Sequence, residues 1–151
     1  MHSGNQNLMW RELIGSLFAD AKFREPAKAD HIARVERELG VALPTELAGL
    51  LAETDGVSAN YSAPLVWSVD EIVEQNRFFR SNADFADLSI SFDDLLFFGA
   101  DGGGDQFAYP ILDGRIPETS GVYRWNHETD ARDGFASDLK DYFRRSGPKA
   151  E

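Results

Sequence analysis

Two stretches of this sequence carry residue types that could do chemistry. The first is the run Gly99-Ala100-Asp101-Gly102-Gly103-Gly104-Asp105, and the second is His127-Glu128-Thr129-Asp130. A phosphate-cradling loop requires Gly-x-x-x-x-Gly-Lys followed by Ser or Thr, so that a lysine faces the phosphates. The run at 99–105 has no lysine and two aspartates, which repel phosphate. A calcium loop requires alternating oxygen ligands and a distal glutamate, whereas three glycines separate Asp101 from Asp105. The run therefore reads as a turn between strands, with glycines free to adopt positive φ and aspartates available to a partner. His127, Glu128 and Asp130 could join Asp101 or Asp105 in a metal site, but the chain lacks His-Glu-x-x-His spacing and has only three histidines. It also has no cysteine and no Gly-x-Ser-x-Gly elbow for nucleophilic catalysis. With 26 acidic residues, a carboxylate pair at acid–base spacing carries little information. These readings assign no catalytic, cofactor-binding or metal-ligating residue.

Charge points elsewhere. The net charge is −11, and it is unevenly distributed. Residues 1–83 hold 12 acidic and 8 basic side chains, residues 84–141 hold 13 and 4, and the last ten hold 1 and 3. Nucleic acid and anionic membranes repel such a chain, and basic proteins attract it. Asp101, Asp105, Glu128, Asp130 and Asp133 are the acidic candidates for partner contact. Trp125 is added as an aromatic of the kind favoured at interface centres. Tyr109 is open to the same reading, while Trp67 and Tyr123 are assigned to the core.

The elements that must position these residues follow from periodicity. A length of 151 residues with 42% hydrophobic side chains suits one domain with one core. Three-and-four spacing predicts a helix from Leu8 to Ala21, through Trp10, Ile14, Leu17 and Phe18. A second runs from Ala29 to Leu39, with Gly40 as its C-terminal cap. A third follows Pro44 and runs to Thr54. A short strand at Pro64–Trp67 leads into a capping box, Ser68-Val69-Asp70-Glu71, and a helix to Arg80. Leu95–Phe98, Gln106–Ile111 and Val122–Asn126 read as strands. Pro110 places the second of these at a sheet edge or marks its end. A last helix is predicted from Phe135 to Arg145. Helices first, then a meander of strands, then a closing helix make an α+β pattern with a mainly antiparallel sheet.

The order of these motifs resembles the SUKH superfamily, which includes cell-wall synthesis regulators of the Smi and Knr type. The resemblance begins at Glu36-x-x-Leu39-Gly40-Val41-x-Leu43-Pro44-x-Glu46-Leu47, with Leu50-Leu51 and Asp55-Gly56. It continues through Trp67 and Ser68–Ile72, then Phe98-Gly99 and Gly102-Gly103-Gly104-Asp105. Val122-Tyr123-x-Trp125-Asn126-His127-Glu128 and Ser137–Phe143 complete it. One departure is Asp55-Gly56 where the family often has Asn-Gly, and both pairs suit a turn.

The resemblance implies a protein-binding fold rather than an enzyme. It divides the chain into an N-terminal helical extension at 1–28, a SUKH-like domain at 29–146 and a tail at 147–151. Many bacterial members are thought to be immunity proteins that neutralise a cognate polymorphic toxin, frequently a nuclease. An acidic inhibitor matches the basic surface of such a toxin. The alternatives are a regulatory or scaffold module of cell-wall (glucan) synthesis and, further off, a carboxylate- or metal-dependent hydrolase. The polar first seven residues lack the regions of a signal peptide, so the expected location is the cytoplasm. The expected partner is a toxin or other basic protein, with no cofactor, nucleic acid or membrane.

Overall fold

The computed structural model describes residues 9–81 and 94–147, in which apolar periodicity is realised as five helices and seven strands. α1 (Met9–Leu17) turns Trp10 and Ile14 inward. It ends before Ala21, where the expected helix stopped, because Lys22–Phe23 (β1) leaves to pair with β2 (Val57–Ala59). Both strands are too short to show a period of two. α2 (Ala29–Leu39) has its expected bounds and ends at Gly40, whose φ of 78° lets its amide donate back to Glu36 O. α3 (Thr45–Leu51) follows Pro44 and buries Leu47, Leu50 and Leu51. It stops short of Thr54, since the amides of Glu53 and Thr54 both converge on Leu50 O in a turn.

β3 (Ala63–Val66) leads into α4 (Val69–Ser81) through the expected capping box. The Ser68 amide donates to Glu71 Oε1 at 2.9 Å, and the Glu71 amide donates to Ser68 Oγ at 3.2 Å. β4 (Leu95–Ala100), β5 (Gln106–Pro110), β6 (Val122–Trp125) and β7 (Arg132–Ala136) form a meander, and α5 (Leu139–Ser146) closes the chain. The strands make two antiparallel sheets, β1-β2-β3 and β4-β5-β6-β7, so the class is α+β. Pro110 ends β5 beyond Ala108, the last residue of β5 paired with β6, so its missing amide donor leaves the ladder intact.

One expectation is corrected here. Phe135 belongs to β7, not to the last helix. Tyr123 pairs with Gly134 and Val122 with Ala136, leaving Phe135 as the extra residue of a bulge that packs on Phe107 and Tyr142. The helix begins only after Asp138, whose carboxylate accepts the Asp141 amide at 2.8 Å.

The core lies on both faces of the four-stranded sheet. Alternation along β4 sends the consecutive phenylalanines to opposite faces, and the register shift at Phe98 follows between Phe97 and Gly99. Phe97 packs with Phe79 and Trp125, and Phe98 packs with Tyr109 and Tyr142. α1 shares this core, with Trp10 against Phe143. Residues 9–28 are therefore packed into the same body as the rest.

The two sheets meet along β3 and β4. The Trp67 amide donates to Phe98 O at 2.7 Å. A Cβ added at Gly99 would fall 1.9 Å from Leu65 O, so only glycine permits this approach. Asn76, fully buried on α4, completes the edge. Its amide nitrogen donates to Phe97 O at 2.8 Å, and its carbonyl accepts the Phe97 amide at 2.9 Å. Replacing Asn76 with Ala leaves both Phe97 groups buried without this partner, an expected loss of roughly 3 kcal/mol. Ser68→Ala removes only a cap, an expected loss of about 1 kcal/mol. Urea unfolding of the two variants beside the wild type checks the ranking.

Candidate partner-binding site

Three turns emerge from one end of the two sheets. They are the β2–β3 connection at 60–62, the β4–β5 connection at 101–105 and the β6–β7 connection at 126–131. Their adjacency follows from the pairing: a Cβ on Gly102 would lie 3.5 Å from Ala63 Cβ, and Gln106 is registered against Trp125.

The glycine-rich turn is built as a strand connection, as its composition predicted. Asp101 Oδ1 accepts the Gly103 amide at 2.8 Å, and Gly102 and Gly104 take φ of 86° and 110°. Gly104 is required for a further reason, since a Cβ there would sit 2.6 Å from His127 Cε1. The imidazole of His127 therefore lies directly over the loop.

Beneath that ring, Asp105 is the best-connected carboxylate of the site. Its Oδ1 lies 2.8 Å from His127 Nδ1 and accepts the His127 amide at 3.2 Å. Its Oδ2 accepts from Arg124 Nε at 2.9 Å, and Arg124 also reaches Asp101 Oδ2 at 3.4 Å. Burial pushes the Asp105 carboxyl up, but the hydrogen bonds from His127 and the Arg124 guanidinium outweigh it and hold the group below its ordinary value. In the neighbouring turn, Asn126 Oδ1 accepts the Glu128 amide, and Asp130 sits at φ 61°. Asp130 Oδ1 accepts from Trp125 Nε1 at 2.6 Å and from Arg132 at 3.3 Å.

The structure thus brings together Asp101, Asp105, Glu128 and Asp130 at one end, with Asp133 registered opposite Arg124 on β7. Glu128 and Asp133 are exposed, whereas Asp105 is buried. Among the described residues these five carboxylates face Arg124 and Arg132, an excess of three acidic over basic side chains. Trp125 corrects the reading of it as a contact residue. Its indole is only 5% exposed and packs on Phe79 and Phe97, so it supports the turn from within. Tyr109 is likewise core, with its hydroxyl donating to Glu46 Oε2 at 3.0 Å. Trp67 is buried as expected, and Tyr123 is half-buried.

Chemically, this arrangement holds charge in place. The Arg124 guanidinium occupies the space between Asp101 and Asp105, where a metal ion would meet a fixed positive charge. Among the described residues no three His, Asp or Glu groups converge as a metal site requires. Sequence reasoning missed the organising roles of Arg124 and His127, and it missed Tyr61. Tyr61 is 95% exposed at the tip of the β2–β3 turn. At the other end of that hairpin a cleft of about 640 Å³ is lined by Arg24, Lys28, His31, Arg34 and Arg37. Glu25, Asp30 and Asp55 line the same cleft, and Asp70 pairs with His31 and Arg34, so its charge is mixed rather than cationic. Among the described residues no helix is long and apolar enough to cross a membrane.

A depressed folded-state pKa at Asp105 means stability that is present above the unfolded carboxyl value, about 3.9, and is lost as pH falls through the folded value. Asp105→Asn is expected to cost about 1–3 kcal/mol at neutral pH. The gap between variant and wild type closes as pH falls through the folded carboxyl value. Urea titrations across that range check both the sign and the window.

These geometric features sit within a recognisable family frame. A family model described as SUKH_6, SMI1-KNR4 cell-wall, matches residues 29–143, from the start of α2 into α5. Among curated proteins, none matches the chain closely. With most of its length inside that family model, and with the α+β order of elements described above, the chain belongs to the SUKH superfamily, in its SMI1-KNR4 family.

Proposed function

We propose that this chain is a non-enzymatic protein-binding domain that acts inside the cell as an immunity protein, occupying the basic surface of a cognate toxin. The observation that carries this reading is the convergence of three turns with surplus negative charge at one end of the sheets. A toxin that grips phosphate presents cationic side chains, and a rigid acidic face can cover them. Electrostatic complementarity of this kind accelerates association and rejects partners of like charge. Rigidity comes from the bonds already described. Asp105 is fixed by Arg124 and His127, so the face is arranged before the partner arrives. A nuclease is the toxin class that best suits this charge.

The second reading is a regulatory module of cell-wall synthesis with a housekeeping partner. It is favoured by the cell-wall description of the matching family model. The location of the gene separates the two, since a toxin gene beside it supports the first reading and a housekeeping neighbourhood supports the second.

The direct test is binding of the purified chain to the protein encoded beside it. The expected result is a complex whose affinity falls roughly tenfold or more between about 0.05 and 0.5 M salt. Glu128→Lys combined with Asp133→Lys is expected to weaken it further at low salt while leaving the fold intact, because both side chains are exposed. The absence of any complex at low salt would sink the immunity reading.

A further inference from the structure

The β2–β3 turn has a backbone that its length alone does not explain. Asn60, Tyr61 and Ser62 are three consecutive non-glycine residues with φ of 56°, 67° and 68°. Left-handed backbone is costly for residues carrying a Cβ, and glycine or asparagine would relieve it. Tight hairpin connections normally place glycine, asparagine or aspartate at such positions. Here an aromatic residue occupies the middle one.

The turn is also held from outside. Asp20, between α1 and β1, accepts the Asn60 amide at 2.9 Å through Oδ1 and the Tyr61 amide at 2.8 Å through Oδ2. These two amides hold the Asp20 carboxyl below its ordinary value, so the clamp is ionised at neutral pH. The clamp fixes the backbone and leaves the phenol ring 95% exposed. A large aromatic side chain presented to water on a fixed backbone contributes little to the core, and strain that persists because surrounding groups impose it tends to mark functional positions.

The ring does not stand alone. Ala63, the next residue after the turn, abuts Gly102 of the glycine-rich turn, which places Tyr61 at the same end as Asp101, Glu128 and Asp133. We infer that Tyr61 is the anchor of the partner interface, inserting its ring into a pocket on a protein whose surrounding surface is cationic, while the neighbouring carboxylates form the rim. Tyrosine suits this role because it contributes large contact area with few rotatable bonds and a polar tip. The inference rests on the protein-binding reading above and adds to it the residue that dominates affinity.

The test uses the protein encoded beside the chain as the binding probe, titrated against wild type, Tyr61→Asn and Leu112→Asn at one salt concentration. Asparagine tolerates left-handed backbone, so Tyr61→Asn keeps the turn while deleting the ring. Leu112 is an exposed apolar residue just past the opposite end of β5, and its substitution serves as the control. The expected result is binding weakened at least tenfold by Tyr61→Asn and less than twofold by Leu112→Asn, with the urea midpoint of Tyr61→Asn unchanged or raised. An affinity of Tyr61→Asn within twofold of wild type overturns the anchor and leaves the protein-binding reading standing. A lowered midpoint shows that the ring serves the fold and also overturns it. An equal loss in Leu112→Asn overturns the location. A wild type that fails to bind the probe overturns the anchor together with the immunity reading.

Discussion

The outer edge of β4 is the constraint on which the rest of the structure depends. A buried strand edge must satisfy its amides and carbonyls, since an unpartnered one costs about as much as a lost hydrogen bond. Here the partners are assembled from separate pieces: the Trp67 amide at the end of β3, and both ends of the Asn76 side-chain amide on α4. Their meeting requires that Gly99 lack a side chain, because Leu65 O occupies the space where one would be. Once that edge is closed, the small sheet is docked on the large one and α4 is seated across Phe97. The three turns at the far end of the strands then have one fixed arrangement. The geometry of the turns is thus inherited from a core contact several residues away.

Much of the acidity of the chain is used within the fold itself. Many carboxylates face no partner at all, because they cap helices. Glu53 accepts the Arg11 amide of α1, Glu118 accepts the Thr45 amide of α3, and Asp55 accepts the Val69 amide of α4. Glu46 accepts the Leu139 amide at the start of α5, where burial pushes its carboxyl up against the opposing pull of that amide and of Tyr109. Carboxylates suit helix N-termini, where free amides and the positive end of the helix dipole coincide. A linear count of acidic residues therefore overstates the charge left for recognition. What remains uncompensated at the turns is a smaller, localised surplus.

Legibility in the sequence followed the strength of local signals. The bounds of α2, the capping box of α4 and the glycine cap at Gly40 were readable because each is encoded within a few neighbouring residues. β1 and β2 were not, since strands of two and three residues carry no measurable alternation. Phe135 was misassigned because its spacing to Leu139, Tyr142 and Phe143 fits a helical face, while the actual helix start was marked by Asp138. Asn76 left a signal that could have been used: it falls on the same face as Ile72 and Val73, a polar side chain among apolar ones. At the turns, Asp101 and Asp105 were visible from composition. The burial of Trp125 and the strain beneath Tyr61 were not, because both depend on neighbours distant in the chain.

The reach of the helix caps has a consequence for how the molecule comes to exist. Carboxylates that accept early amides of α1, α3 and α5 lie 42, 73 and 93 residues away in the chain, although α5 also has a local cap in Asp138. Short helices without their caps are marginal in water, and contacts of long sequence separation form slowly. During vectorial synthesis α3 must therefore emerge and wait until Glu118 has left the ribosome, and Glu46 must wait for Leu139. Consolidation of the whole body therefore waits until α5 has emerged, since only then are Glu46 and Leu139 both present.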